Sequence, residues 1–137
     1  MDSMARRLLP ALATLLAFAQ QIAAAECPVA GAEATSDAIE QAPSCAKAAE
    51  IYGLCRWGSS MDIQFADAAI KKCEADFVST LKPQQRRNYD RAKTRCGRKY
   101  ARESGTLYRS FEASCSVELA KTYWMRMAKA GAGKPKR

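Results

Sequence analysis

Six cysteines and a row of arginines are the residues best placed to do chemistry in this 137-residue chain, which contains no histidine. Without histidine, neither a Ser-His-Asp nor a Cys-His arrangement can form within the chain. Two carboxylate pairs remain as candidates for general acid–base work. Glu112 and Glu118 are six residues apart and so lie on different faces of a helix, and Glu74 and Asp76 belong to a solvated flank. We therefore expect no catalytic site, no cofactor and no enzymatic activity.

All the cysteines lie after residue 25, and an even number of them in a small exported domain indicates three disulfides. They are Cys27, Cys45, Cys55, Cys73, Cys96 and Cys115. Six cysteines can pair in many ways, and their spacing does not choose among these, although bridges between near neighbours are the simplest arrangement. A zinc site is the competing interpretation. The chain has no Cys-x-x-Cys pair and no histidine, so we expect no bound metal.

The stretch Leu81–Arg102 holds nine of the chain's 22 basic residues and a single acid, Asp90. At helical spacing it forms two stripes that lie side by side. The apolar stripe is Tyr89, Ala92, Cys96 and Tyr100, and the basic stripe is Arg87, Arg91, Arg95, Arg98 and Arg102. This pattern predicts a helix with one face in a core and a row of guanidinium groups on the other side.

The basic stripe has two interpretations. Neighbouring like charges on a helix repel by roughly a few tenths of a kcal/mol per pair, so a row of five indicates an anionic partner. Alternatively, Glu and Asp side chains of other helices neutralise the row. For Gln85 and Arg86, at the start of the helix, solvation and hydrogen bonding to a neighbouring loop are favoured over contact with a partner.

The first 25 residues are typical of a secretory signal. Arg6 and Arg7 form a basic start, residues 8–19 form an apolar run, and Ala23 and Ala25 supply the small residues of a cleavage site. The run is shorter than the roughly 20 apolar residues that a membrane span needs. Cleavage after Ala25 is therefore favoured over an uncleaved anchor.

Cleavage at that point predicts a periplasmic or secreted protein. Its formal net charge falls from +8 to +7, because Asp2, Arg6 and Arg7 are removed, and this balance favours anionic partners. A lipid-modified cysteine requires a small residue before it, and Glu26 precedes Cys27, so we expect no lipoprotein. Export argues against nucleic acid as the anion. Lipid headgroup phosphates, lipopolysaccharide and acidic wall polymers are the natural anions outside the cell.

Hydrophobic periodicity and its breaks divide the rest of the chain into about four helices with short links, and no segment alternates for long enough to be a strand. We predict an extended or loosely helical arm over residues 26–43, helices over about 45–53, 59–81, 83–102 and 106–129, and a disordered basic tail over 130–137. The predicted inner stripe of the second helix is Ile63, Ala66, Ile70, Cys73, Phe77 and Leu81, and that of the fourth is Leu107, Phe111, Cys115, Leu119 and Thr122. The expected fold is an all-α, disulfide-stapled antiparallel bundle.

The third and fourth helices carry a pattern that resembles the C-terminal region of LprI-like lysozyme inhibitors, a family of small exported helical proteins of bacterial envelopes. The matching residues are Leu81, Gln85, Arg86, Cys96, Gly105, Thr106 and Cys115, and the paired cysteines of longer members resemble Cys45 and Cys55. Three positions depart from the pattern. Asn88 replaces the family's tryptophan, the usual arginine is displaced to Arg91, and Glu74 stands where a tyrosine is expected.

The resemblance implies one helical domain over residues 44–129, with Cys45–Cys55 and Cys96–Cys115 as bridges. Cys27 and Cys73 are additions to the family's pattern. We expect them to pair and to pin the arm onto the second helix.

The resemblance also implies that the protein binds and inhibits lysozyme. A donor-rich turn could enter the enzyme's cleft, which contains two carboxylates; the candidate residues are Arg102, Gly105, Thr106 and Arg109. Animal lysozymes are generally basic, so long-range repulsion would slow this association. The alternative function is that of a basic envelope module, which engages anionic lipid, lipopolysaccharide or wall polymer through the helix face from Arg87 to Arg102.

Overall fold

The chain folds as an all-α bundle held by three disulfides, and residues 26–132, which the computed structural model describes, contain no strand. The five α-helices are α1 (Ala32–Glu40), α2 (Cys45–Cys55), α3 (Met61–Phe77), α4 (Pro83–Lys99) and α5 (Thr106–Ala132), and a 3-10 turn, Val78–Thr80, follows α3. None of the described helices is long and apolar enough to cross a membrane. The predicted signal, residues 1–25, and residues 133–137 of the predicted tail lie outside the described residues.

Local sequence signals set where three of these helices begin. Ser44 caps α2, because its hydroxyl accepts a hydrogen bond from the backbone N–H of Lys47 at 3.2 Å. Pro83 occupies the first turn of α4, and the Gln85 side chain accepts a hydrogen bond from the backbone N–H of the residue before Pro83 at 2.8 Å. Gly105 turns the chain into α5 at φ +101°, a conformation that other residues rarely adopt.

Helices α3 and α5 run in the same direction through the middle of the bundle. Asp62 and Ser110 are hydrogen-bonded near the starts of the two helices, and Asp76 and Trp124 are hydrogen-bonded farther along both. The bundle is therefore not antiparallel throughout. The short links make α2 antiparallel to α3 and α4 antiparallel to α5, as predicted.

Two hydrophobic clusters fill the interior. The larger one joins α1, α2, α3 and α5 around many alanines and five larger side chains, Ile39, Ile51, Tyr52, Phe65 and Val117. The smaller one brings α4 to the bundle and contains Cys45, Cys73, Phe77, Tyr89 and Ala120. Alanine lets helices approach closely but buries little apolar area per residue. The disulfides therefore supply a large share of the stability of so small a domain.

Tyr89 anchors α4 in the smaller cluster. Its ring packs edge-on against Phe77 with centroids 5.2 Å apart, and its hydroxyl donates a hydrogen bond to Glu74 Oε1 at 2.7 Å. Lys93 Nζ lies 2.7 Å from the same oxygen. Burial and the hydrogen bond to Glu74 raise the pKa of Tyr89, so the hydroxyl remains a donor. Glu74, a departure from the LprI-like pattern, thus ties α4 to α3.

The predicted apolar stripe of α4 is confirmed, whereas that of α5 is correct only in part: Leu119 packs against the smaller cluster, but the first two members do not lie in the core. Tyr89, Ala92 and Cys96 are buried, and Tyr100, just past the end of α4, is half-buried. On α5, Leu107 is 48% exposed and Phe111 is 39% exposed. The buried positions are instead Ser110, Val117 and Ala120. The smaller side chains face α3 because the two helices pack closely there, and this turns the larger side chains outward.

The predicted stripe of α3 is correct in part. Ala66, Cys73 and Phe77 are buried, but Ile63 is 36% exposed. Phe65, Ala68 and Ala69, outside the predicted stripe, are buried as well. Helix α3 packs against α1, α2 and α5, so it has more than one buried face.

Residues 26–43 were expected to form an extended or loosely helical arm, but they contain α1, which belongs to the bundle. The helix begins after Gly31, and the Thr35 hydroxyl donates a hydrogen bond to the Gly31 carbonyl at 2.8 Å. Ile39 is fully buried in the larger cluster. The helical domain therefore begins before residue 44.

All six cysteines are bonded, as predicted, in the pairs Cys27–Cys55, Cys45–Cys73 and Cys96–Cys115. The predicted Cys96–Cys115 bridge is confirmed, and the predicted Cys45–Cys55 and Cys27–Cys73 bridges are wrong. Helix α2 does not end near Gly53 but continues through Cys55. Ten residues of helix place Cys45 about 15 Å from Cys55, and a disulfide requires Cα atoms within about 7 Å.

Candidate functional site

The strongest candidate for a binding surface is the row of arginines along α4. We call Arg87, Arg91, Arg95, Arg98 and Arg102 the basic face, and all five are exposed. The first four lie on α4. Arg102 was predicted to lie on the same helix, but α4 ends at Lys99, and Arg102 lies in the turn that leads to α5.

The side-chain contacts of the basic face stay within α4. Arg87 Nη2 donates a hydrogen bond to Gln84 Oε1 at 2.6 Å, and Arg91 donates one to the side-chain oxygen of Asn88. Both acceptors are neutral amides, and in the described part of the chain neither arginine is paired with a negative charge. These bonds hold the side chains in place on the surface and leave their charge available.

The other members of the basic face have no side-chain partner at all among the described residues. Neither a side-chain hydrogen bond nor an ion pair joins the side chain of Arg95, Arg98 or Arg102 to any residue between positions 26 and 132. Arg86, beside the face, does form an ion pair with Asp90, at 3.1 Å. That pair is half-exposed and agrees with the solvated role predicted for Arg86.

Acidic side chains on neighbouring helices are engaged elsewhere. Glu74 accepts hydrogen bonds from Tyr89 and Lys93, and Asp76 accepts one from the Trp124 indole at 3.1 Å. Within residues 26–132, no carboxylate of another helix pairs with the basic face. The alternative in which other helices neutralise the row therefore has no support in the described contacts.

The four other predicted binding residues lie in the turn between α4 and α5 or in the first turn of a helix. They are Gln85, Gly105, Thr106 and Arg109. Arg109 Nη1 lies 2.6 Å from Glu112 Oε2, and its Nη2 donates a hydrogen bond to the Tyr100 carbonyl at 2.6 Å. Arg109 thus holds the end of α4 and is not free to act as a cationic plug. The Gln85 side chain caps the start of α4. Gly105 and Thr106, the remaining two predicted binding residues, are exposed.

A second surface feature was missed by the sequence analysis. We call Trp57, Leu107 and Phe111 the apolar end, because they lie where the α2–α3 link meets the start of α5. Trp57 is 81% exposed, the largest value among the exposed large hydrophobic residues of the described chain. The sequence analysis placed Leu107 and Phe111 in the core and made no prediction for Trp57. The outward turn of α5 exposes the first two.

The apolar end brings together the α2–α3 link, the start of α5 and the end of α4. A Cβ atom on Gly58, the neighbour of Trp57, would lie 3.0 Å from Leu107 Cδ1, so the α2–α3 link touches α5 there. Leu107 and Phe111 are one turn apart on α5. The Phe111 ring lies 5.9 Å from that of Tyr100 and 6.2 Å from that of Tyr108. The patch therefore continues to the end of α4, next to Arg98 and Arg102.

Asp62 fixes the link that carries Trp57. Its carboxylate is fully buried and accepts hydrogen bonds from the backbone N–H groups of Trp57 at 3.0 Å and Gly58 at 2.8 Å, and from the hydroxyls of Ser59 and Ser110. Burial raises the pKa of Asp62, but the hydrogen bonds outweigh it and hold the pKa below its ordinary value. The predicted inner stripe of α3 did not include Asp62. The signal that could have found it is the run Ser59-Ser60-Met61-Asp62 at the start of α3, where side-chain oxygens commonly bond backbone N–H groups.

The described residues offer little to a catalytic interpretation. A cavity of about 310 Å³ lies between the ends of α3 and α5, lined by Phe77, Trp124, Met127 and their neighbours. Asp76 is its single ionisable lining residue, and Asp76 is bonded to Trp124. No cluster of His, Cys, Asp and Glu within residues 26–132 could hold a metal ion.

No protein-family model, curated protein or solved structure matches this chain. The resemblance to LprI-like inhibitors therefore stays a prediction that rests on the quoted residues. The function is inferred below from the chain's own surface.

Proposed function

We propose that this protein is an exported, non-enzymatic binding module that engages an anionic, phosphate-bearing surface of the cell envelope through the basic face of α4. The observation that carries the proposal is the set of five exposed arginines that have no carboxylate partner from another helix among residues 26–132. Their mutual repulsion is relieved when an anion binds, because opposite charge is then placed beside the row.

Arginine suits this role because of its shape. The guanidinium group is planar and can donate two parallel hydrogen bonds to one phosphate. Residues three or four apart on a helix lie about 5–6 Å from one another, so successive arginines can reach separate phosphates on an extended surface. Helix α4 is held by the Cys96–Cys115 bridge and by Tyr89, and it therefore presents the row on a rigid support.

The disulfides bear on where the protein acts. Three disulfides indicate an oxidising, extracellular environment. Together with the predicted signal, they support a periplasmic or secreted location. The anions available there are lipid headgroups, lipopolysaccharide and acidic wall polymers.

Charge reversal on α4 tests the proposal. We expect the triple variant Arg91→Glu, Arg95→Glu and Arg98→Glu to abolish binding to phosphate-bearing surfaces. Each basic residue near an anionic membrane contributes about 1 kcal/mol, so merely neutralising three of them should weaken binding about 100-fold. Co-sedimentation with phosphatidylglycerol vesicles and retention on immobilised polyphosphate measure the effect.

A matched control separates the position of the charge from its amount. The variant Lys47→Glu, Lys71→Glu and Lys129→Glu changes the net charge equally but at exposed sites outside α4. It should retain most of the binding. Equal loss in the two triple variants would overturn the assignment to α4, and no binding by the unaltered protein would overturn the function.

Inhibition of lysozyme, which the resemblance implies, is a separate prediction with less support. Arg102, Gly105 and Thr106 are exposed, but Arg109 is bound to its own turn. A titration of the oxidised protein into a turbidity assay of lysozyme activity tests it. The inhibitor hypothesis expects inhibition at micromolar excess against at least one lysozyme type, and a complete lack of inhibition would exclude it.

A further inference from the structure

We infer that the anionic surface is a lipid bilayer, and that the apolar end enters its headgroup region while the basic face contacts lipid phosphates. This inference rests on the proposed function and names the source of the phosphate. It assigns a role to Trp57, Leu107 and Phe111, which the basic face alone does not require.

The exposure of the apolar end is the first argument. A soluble polyphosphate is recognised through its charge, and it has no apolar part that could cover an exposed tryptophan. Trp57 is 81% exposed, and the next residue, Gly58, lies against the exposed Leu107, one turn from the exposed Phe111. Tryptophan favours the membrane–water interface, because its ring is apolar and its indole N–H remains near water.

Charge around the apolar end is the second argument. Four exposed cations lie on the chain segments next to it: Arg56, Arg98, Lys99 and Arg102. The exposed acids on these segments are Glu103 in the α4–α5 turn and Glu26 beside the Cys27–Cys55 bridge, and Glu112, the neighbour of Phe111, is ion-paired with Arg109. The balance is positive. Apolar side chains ringed by Lys and Arg are typical of surfaces that bind anionic membranes.

The rigidity of the link is the third argument. The Asp62 carboxylate holds the backbone of Trp57 and Gly58, and Arg56 Nη1 donates a hydrogen bond to Ser114 Oγ on α5 at 2.7 Å. Trp57 is therefore presented to solvent by a fixed backbone and is not part of a loose loop. A side chain held outward in this way can enter a membrane with little ordering cost.

The two tryptophans provide an internal comparison. Trp57 lies at the apolar end, whereas Trp124 lies at the other end of the bundle, half-buried and bonded to Asp76. The variant Trp124→Phe leaves Trp57 as the sole tryptophan, and the variant Trp57→Phe leaves Trp124. The protein used begins at Glu26, because residues 26–132 contain all five helices, both clusters and all three bridges.

The experiment measures tryptophan fluorescence with phosphatidylglycerol vesicles that contain bromine-labelled lipid. We expect a blue shift and quenching of Trp57 and neither effect for Trp124. Trp57→Ala should lower the vesicle partition coefficient about tenfold, since one large apolar side chain no longer leaves water. The control Met125→Ala removes another exposed apolar side chain, far from the apolar end, and should leave the coefficient unchanged.

Polyphosphate separates this inference from the proposed function. Binding to polyphosphate should leave the Trp57 spectrum unchanged. If the protein binds polyphosphate and fails to bind vesicles, or binds vesicles with Trp57 unshifted and unquenched, the lipid inference is overturned and the proposed function stands. If it binds neither probe, both are overturned.

Discussion

Replacing Asp62 with asparagine should lower the free energy of unfolding by about 3 kcal/mol at neutral pH. The two carboxylate oxygens accept hydrogen bonds from different backbone N–H groups, Trp57 on Oδ1 and Gly58 on Oδ2. An amide has one oxygen, so whichever way it turns, its NH2 group faces one of these donors. The site is fully buried, and water cannot make good the loss.

The same substitution should have a defined pH dependence. The pKa of Asp62 is lower in the folded protein than its ordinary value of 3.8. The carboxylate therefore contributes its full stability above about pH 4–5, and this contribution is lost as the pH falls through the folded pKa. Urea unfolding of the two proteins should give a constant difference between pH 7 and pH 5 that shrinks below about pH 4. The matched variant Asp67→Asn, on the exposed side of α3, should change stability little. A difference that persists unchanged to the lowest pH would contradict the assigned ionisation.

Removing the Cys45–Cys73 bridge should have an effect of similar size. The bridge closes a separation of 28 residues, for which the chain-entropy relation gives about 3.5 kcal/mol. Both cysteines are fully buried against Phe77 and Tyr89, so replacement with alanine also leaves a cavity. We expect the double variant Cys45→Ala, Cys73→Ala to unfold at markedly lower denaturant concentration by circular dichroism.

The Cys27–Cys55 bridge is a natural control, because its two cysteines have the same sequence separation, 28 residues. Cys27 is half-buried, so the loss from packing is smaller there. The Cys27→Ala, Cys55→Ala variant should therefore be destabilised, but less than the Cys45→Ala, Cys73→Ala variant. The reverse order would show that the smaller cluster contributes less than its burial indicates.

Peptide mapping without reduction checks the pairing itself. Trypsin alone leaves Cys27 and Cys45 in one peptide, so a glutamyl endopeptidase is needed to cut at Glu33 and Glu40. Cys27 should then be linked to the peptide that contains Cys55. A Cys45–Cys55 link would contradict the structure.

The sequence predicted most where local signals were strong. Helices were predicted to begin near residues 45 and 83, and the apolar stripe of α4 placed Cys96 in the interior, as the structure confirms. Both are local properties, since a cap or a stripe depends on residues within a few turns.

What failed depended on tertiary packing. The contact between α3 and α5 is made by small side chains and by the buried Asp62–Ser110 pair, so the large residues Leu107 and Phe111 gave a misleading stripe. Two of the predicted bridges were wrong for a related reason. Helix α2 continues through Cys55, so Cys55 lies far from Cys45, at the opposite end of the helix, and is bonded to Cys27. The exposure of Trp57 follows from these same contacts and has no local sequence signal.

The central claim is that α4 binds an anionic surface by charge, and a salt titration tests it most directly. Binding of the oxidised protein to phosphatidylglycerol vesicles and to polyphosphate should weaken steeply as salt rises from 0.05 to 0.5 M, a range of about 14 to 4 Å in screening length. The Arg91→Glu, Arg95→Glu, Arg98→Glu variant should not bind at any salt concentration. Binding that is unaffected by salt, or that survives in this variant, would contradict the account.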